Sequence, residues 1–364
     1  MNYKRPVLLV GNGVRAAGAA SLVVEFFNKT HIPVLTTMNA VDLAQDDMRI
    51  GFIGTYGNRI SNMIISSSDL VISVGARLGL RQIGHKPEWF APHAHLIRSD
   101  IDQYELSRNV KDNEEKHLMD AYDFMNYLLS EDYGDYTDWY NRCKKAKSLI
   151  ESIDDTEGNR IVKKISSLLP HNPIVTVDVG QHECWCAQSL HLKGNEGRIL
   201  IGGGYGSMGC SLPYAIGASF AMGKCFCITG DGGLQMNIQE LEVVVREQLP
   251  IKIFVINNHV LGKISEIQHV SYNDRYAQTT AESGYTVPNF EKIAQAYGIR
   301  AATLESYEEL DGYRDWVEDD NPCLLDIYIP AETLLIPKIK WETGTIKPDI
   351  SDSLLQQVNS LLYD

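Results

Sequence analysis

The stretch from Gly230-Asp-Gly-Gly to Asn257-Asn258 admits few folds. Cys225–Thr229 is a short apolar run of the kind buried in a parallel strand. Gly230, Gly232 and Gly233 then let the backbone turn and keep side chains away from main-chain N–H groups that face an anion. Asn237 and Glu240 stand at capping-box spacing, and Leu241, Val244 and Val245 form one apolar helical face, so a helix is predicted there. Ile251–Ile256 is a second apolar run. The sequence thus reads strand, turn, helix, strand, with Asp231 and Asn258 just beyond the carboxyl ends of neighbouring strands, where open α/β sheets bind ligands. One carboxylate, one amide oxygen and nearby main-chain carbonyls make a hard-oxygen set suited to Mg2+. The plainer reading is an α/β crossover in which Asp231 only caps a helix.

The 364 residues give room for two or three domains, and 44% hydrophobic residues can fill ordinary cores. A net charge of −14 argues against a general nucleic-acid binder. No secretory signal and no apolar run long enough to cross a bilayer is evident, so no membrane association is expected. The seven cysteines are sparse and odd in number, as in a reduced, cytoplasmic protein. Cys184/Cys186 and Cys225/Cys227 are C-x-C pairs that raise the question of zinc, but the second pair falls in the apolar run, where cysteine acts as a small hydrophobe.

The first half alternates strands and helices. Arg5-Pro-Val-Leu-Leu-Val-Gly opens a strand, and Gly11-x-Gly13-x-x-Ala16 imitates a dinucleotide fingerprint, a weak signal alone. The next strand, Pro33–Thr37, ends in Thr36 and Thr37 and not in an acid for a ribose, which argues against a conventional NAD site. A further strand and turn is predicted at Asp69-Leu-Val-Ile-Ser-Val-Gly-Ala-Arg77 and a strand around His95–Arg98, with helices over Ala17–Lys29 and Asn58–Ser67, giving a doubly wound sheet. Asp112–Glu115 and Ser130–Asp138 read as polar and acidic, and Tyr136–Ser152 as a charged helix. In the second half a helix (Asn159–Leu169) leads to a strand (Ile174–Val179) and to Asp178-Val-Gly-Gln-His182. A strand near Ile199–Gly204, the Gly206-Ser-Met-Gly209 turn and a helix through Leu212–Ala218 follow, and Cys323–Tyr328 is the last strand.

Gly-Asp-Gly followed at this distance by Asn-Asn resembles the thiamine-diphosphate signature, and the blocks around it resemble the acetolactate synthase (acetohydroxyacid synthase) large-subunit family. In the second half these are Val179-Gly-Gln-His-Glu-Cys-Trp185, Gly204-Tyr-Gly-Ser-Met-Gly-Cys-Ser-Leu-Pro213, Gly230-Asp-Gly-Gly233 and Ile256-Asn-Asn-His-Val-Leu-Gly262. In the first half they are Arg5–Gly11, Gly51-Phe-Ile-Gly-Thr-Tyr-Gly57, Ser68–Arg77 and Ser99-Asp-Ile-Asp102. The resemblance implies an α/β chain of two doubly wound parallel-sheet domains: a central Rossmann-like domain over residues 1–130 and a thiamine-diphosphate- and Mg2+-binding domain over 159–338. A linker over 131–158 and a tail over 339–364, ending in a helix (Ser353–Leu362), complete the expectation. By carry-over, Asp231, Asn258 and the Val260 carbonyl bind Mg2+. Val179, Gly180, Gln181, His182, Gly206, Gly232, Gly233, Leu261 and Gly262 surround the cofactor, and Met208 supports its folded form.

FAD is a further cofactor that the resemblance admits, since the family's central domain holds it. Here the stretch Gly75-Ala-Arg-Leu-Gly-Leu-Arg81 keeps Arg77 and Arg81 but has Gly79 and Leu80 where the family has acids. After Asn257-Asn258, the relatives that prefer a 2-ketobutyrate acceptor carry Met and Trp where this chain has Lys263 and Ile267. A cation at 263 favours an acceptor with an extra negative or hydroxylated group, or else points to solvent. No residue matches the family's activating Glu, which lies on an N-terminal pyrimidine-binding domain, so that domain is expected in trans. The implied activity is decarboxylation of a 2-keto acid such as pyruvate and transfer of the two-carbon unit to a carbonyl acceptor, in a homo-oligomer (dimer or tetramer). The alternatives are a 2-keto-acid decarboxylase, a carboligase with another acceptor, and a catalytically silent cofactor-binding subunit.

Overall fold

A computed structural model describes residues 3–44, 48–337, 340–342 and 345–363. The chain forms two compact units, Met1–Asp155 together with Ile336–Asp364, and Thr156–Leu335.

The first unit is built on six parallel strands: β1 (Pro6–Val10), β2 (Val34–Thr36), β3 (Arg49–Phe52), β4 (Leu70–Val74), β5 (His95–Asp100) and β6 (Glu114–Leu118). Their order is β3-β2-β1-β4-β5-β6. β1 and β4 are buried along their whole length, which is why they read as unbroken apolar runs. The chain winds one way from β1 and the other way from β4, so the switch point of the sheet lies between them. There the glycines of the fingerprint-like turn meet another turn. Gly11 N–H donates to the Val74 carbonyl and Gly13 N–H to the Gly75 carbonyl, each at 2.9 Å. A Cβ on Gly11 would lie 2.2 Å from the Gly75 oxygen. These glycines serve turn-to-turn packing, and their N–H groups are not open to a dinucleotide pyrophosphate.

β6 falls where the sequence reads as a polar acidic stretch. It is an edge strand, and its charges are structural: Glu114 Oε2 pairs with Arg98 Nε at 3.2 Å, both side chains being buried. The 131–158 segment, expected as a linker, carries a helix (Thr137–Ile150) that buries Trp139, Tyr140, Cys143, Ala146 and Ile150. Those residues join the hydrophobic core of the first unit, and Trp139 Nε1 donates to the Pro6 carbonyl at 3.0 Å. The tail helix (Asp352–Tyr363) adds Val358 and Leu362 to the same core and packs on helix Thr137–Ile150. A short antiparallel hairpin, β13 (Lys340–Glu342) with β14 (Thr345–Lys347), precedes it.

The second unit repeats the architecture. Its strands are β7 (Ile174–Val177), β8 (Arg198–Ile201), β9 (Cys225–Gly230), β10 (Ile251–Asn257), β11 (Arg300–Leu304) and β12 (Cys323–Tyr328), all parallel, in the order β11-β12-β10-β9-β7-β8. β9 and β10 are entirely buried. A lysine survives inside β10 because Lys252 Nζ donates to the Trp316 carbonyl (2.6 Å), to Asp319 (2.9 Å) and to the Asn321 carbonyl. From β7 the chain crosses to β8 on one side; from β9 it crosses to β10 on the other. The switch point therefore lies at the carboxyl ends of β7 and β9.

The predicted helix with an Asn237 cap is corrected by the structure. The helix begins at once at the strand end (Asp231–Met236), passes through a 3-10 turn (Ile238–Glu240), and continues as Leu241–Arg246. Asn237 makes no cap bond. Its Nδ2 instead donates 2.8 Å to the Gly209 carbonyl and ties down the preceding loop. The glycine turn is tight enough to put Asp231 in the first helical turn, which capping-box spacing alone does not reveal.

Candidate cofactor and metal site

The switch point opens into a cavity of about 240 Å³. Three strand ends build it. β7 contributes Val179, Gly180, Gln181 and His182, β9 contributes Gly230 to Gly233, and β10 contributes Asn258 and Val260 to Ile264. Gly206 and Met208 close it from the loop before helix Ser211–Met222. All thirteen residues singled out from the sequence thus stand around one cavity. Small residues are required where the backbone must be approached. A Cβ on Gly232 would lie 2.7 Å from Leu261 Cδ2 and 3.1 Å from Met208 Cε, so any side chain there would invade the cavity wall.

Three polar atoms in this wall lack hydrogen-bond partners among the described residues: Asp231 Oδ2, His182 Nε2 and Trp185 Nε1. Asp231 is 4% exposed, and its Oδ2 is buried with no hydrogen-bond partner among the described residues. Burial pushes its carboxyl up to about 7, partly offset by the Gly232 N–H and the nearby Tyr285 hydroxyl. A carboxylate in this state gains most from a cation. His182 is also buried, with Nε2 unpartnered among the described residues. Burial, and then the positive charge of Lys263, press its pKa down to about 3, so the imidazole is neutral at physiological pH. Orphaned buried polar atoms mark a place prepared for a polar occupant.

Asn258 lies one residue beyond β10; its Oδ1 accepts from Val260 N–H at 3.3 Å, and its Nδ2 donates 3.2 Å to Gln181 Oε1. The Asp231 carboxylate, the Asn258 amide oxygen and the Val260 carbonyl form an oxygen-only donor set that fits Mg2+. Among the described residues no group of three or more His, Cys, Asp or Glu could hold a metal ion. The cysteines are free thiols, and burial pushes Cys225 and Cys227 up to about 12, as expected of inert core residues.

Sequence reasoning missed several residues. Trp185, Ile256 and Ile264 also line the cavity, whereas Lys263, read from the sequence as facing either an acceptor or solvent, stands in its wall. Trp185 lies one helical turn after Gln181 on helix Gln181–Ser189, whose nine residues are all buried, so it has no amphipathic period by which to be found. Asp178, just past β7, organises the wall without lining it. Its Oδ1 accepts from Val179 N–H (2.8 Å) and Gly209 N–H (2.9 Å), and its Oδ2 from the Thr229 hydroxyl (3.3 Å). It thereby pins the Gly206–Gly209 loop to the strand ends.

A diphosphate-sized cavity at a parallel-sheet switch point, with a buried acid and a glycine turn, is the arrangement of a diphosphate-cofactor enzyme. Residues 178–327 match the C-terminal TPP binding domain of thiamine pyrophosphate enzymes, and residues 1–128 match their central domain. The chain belongs to the thiamine pyrophosphate enzyme family. It is 32% identical to the acetolactate synthase isozyme 2 large subunit of Escherichia coli (strain K12), over 90% of this chain and 60% of that protein. It is 30% identical to the acetolactate synthase large subunit of Lactococcus lactis, over 92% of this chain and 59% of that one. Identity to the acetolactate synthase large subunit of Porphyra purpurea is also 30%, over 92% and 58%. The chain thus spans about three-fifths of the length of the curated relatives it matches. No described helix is long and apolar enough to cross a membrane.

Proposed function

We propose that the cavity between β7, β9 and β10 binds thiamine diphosphate through Mg2+, and that the protein works as an acetolactate-synthase-like carboligase on a 2-keto acid such as pyruvate. The observation that carries this reading is the buried Asp231 Oδ2, without a hydrogen-bond partner among the described residues, lining one cavity with Asn258 at the switch point. Asp231, Asn258 and the Val260 carbonyl hold the cation. The N–H groups of the Gly232–Gly233 turn and neutral His182 meet the diphosphate, and Leu261 and Met208 form the apolar wall. The cofactor, when bound, supplies the carbon nucleophile for decarboxylation and two-carbon transfer. The protein's part is to place it in a cavity poor in water and rich in fixed dipoles.

The pyrimidine half of such a site is supplied from outside these residues, by a pyrimidine-binding domain in the same or another polypeptide, within a homo-oligomer. The free thiols fit a reducing, cytoplasmic setting. FAD has no comparable support, because the N–H groups of Gly11 and Gly13 are already bonded. Lys263 in the cavity wall favours an acceptor carrying a negative or hydroxylated group over a plain alkyl ketone.

Calorimetric titration of thiamine diphosphate with Mg2+ tests the reading, followed by pyruvate turnover with a pyrimidine-binding domain added. Saturable, Mg2+-dependent binding that Asp231→Ala abolishes is expected. Binding that survives this substitution refutes the metal assignment.

A further inference from the structure

A carboxamide can serve a hard cation only through its oxygen, and its two ends are nearly equal in shape. Something must therefore decide which end of Asn258 faces the cavity. The neighbours of Gln181 do so. Its Nε2 lies 3.1 Å from the Thr333 carbonyl and 3.1 Å from Glu266 Oε2. A main-chain carbonyl only accepts, and a carboxylate oxygen accepts as well, so the nitrogen end of Gln181 is fixed on that side. Its oxygen end is left to face Asn258, whose Nδ2 donates to it at 3.2 Å. Asn258 Oδ1 is thereby turned the other way, where it accepts from Val260 N–H and keeps a lone pair. Glu266, on helix Gly262–Tyr272, is itself held by Leu335 N–H at 3.3 Å. Gly262 leaves the room this chain of amides needs: a Cβ there would lie 2.1 Å from Gln181 Oε1 and 2.8 Å from Asn258 Nδ2.

We propose that Glu266, acting through Gln181, is a positioning residue that sets the polarity of the Asn258 amide and presents its oxygen to a divalent cation. This rests on the reading of Asp231 and Asn258 as a Mg2+ site. The order of polarity runs from acceptor to donor at each link, so removing the carboxylate takes away one of the two acceptors that hold the nitrogen end of Gln181 and weakens the orientation of both amides. Outer-sphere partners of this kind alter metal affinity by about 10–100-fold.

The test titrates Mg2+ at fixed thiamine diphosphate, with binding read by calorimetry, for the intact chain and for Glu266→Met and Glu266→Gln. In Glu266→Met the Mg2+ concentration for half-maximal cofactor binding should rise about tenfold or more. Excess Mg2+ should then restore the cofactor affinity. Glu266→Gln, which can turn an amide oxygen toward both Gln181 and Leu335 N–H, should behave as the parent does. A half-saturation within twofold of the parent in Glu266→Met overturns the proposal, as does a loss of affinity that excess Mg2+ does not restore, since that is damage to packing. If Glu266→Met does not fold, Gln181→Met carries the same measurement. Asp231→Ala separates the two claims. If it keeps Mg2+-dependent binding, the metal site and the relay fail together; if it loses binding while Glu266→Met stays unmoved, the relay alone fails.

Discussion

Single side chains in the second unit are placed by what they must not leave unpaired. Asp326, inside β12, is 2% exposed, with Oδ1 accepting from Asn257 Nδ2 at 3.0 Å. Burial pushes its carboxyl from 3.8 up to about 6. Because the folded pKa is raised, the folded state holds a proton that the unfolded state has released between those two values. Stability therefore falls as pH rises from about 4 to 6, by roughly 3 kcal/mol at most for a shift of about two units. Asp326→Asn removes that pH dependence and keeps an oxygen for Asn257. In urea denaturation the variant should match the parent at pH 4 and exceed it at pH 7.5; a parent that is the more stable at pH 7.5 would sink this account. Residue chemistry was unevenly legible in the sequence. Asp231 and Asn258 announce themselves by spacing, because a strand end on either side of one crossover fixes where they go. Asp178 and Glu266 do not, because their partners are backbone N–H groups and an amide brought near only by the fold.

Among the elements, the strands were the most readable. β1, β4, β9, β10 and β12 are buried on both faces, so each is an apolar run with sharp ends. Elements with no contrast between faces were lost. Helix Gln181–Ser189 is buried all round, and edge strand β6 is coated with charge that pairs elsewhere. The tail helix Asp352–Tyr363 was visible by its apolar stripe, but its docking site was not. It belongs to the core of the first unit, with Leu362 fully buried and the Tyr363 ring 5.8 Å from the Arg5 guanidinium carbon. Leu362→Ala should accordingly destabilise the first unit by about 2–5 kcal/mol, as for other buried leucines. Chemical denaturation followed by the fluorescence of Trp139 would check this. A change below about 0.5 kcal/mol would mean that the helix adds little to that core.

At the scale of the whole molecule, two six-stranded parallel sheets of different strand order put their switch points to different uses. In the first unit the turns beyond β1 and β4 bond to each other; in the second, the turns beyond β7 and β9 stand apart around a cavity. Thiamine diphosphate with Mg2+ at about a hundred times its dissociation constant should stabilise the binding unit by about 2.7 kcal/mol. Hydrogen exchange should then slow across residues 178–183, 230–236 and 258–264 and stay unchanged in β1 and β4. Equal protection in both units would contradict a cofactor site confined to the second. The first unit has a further property: it is discontinuous, with residues 1–155 on one side of the second unit and 336–364 on the other. A ribosome therefore delivers most of it, then all of its neighbour, and only then the helix that covers Trp139 and its companions. At ordinary elongation rates the interval is on the order of ten seconds or more. Through that interval the first unit waits with an apolar face bare, and the second unit, though made later, is the first of the two that can finish folding. The order of birth and the order of maturity of the two units are reversed.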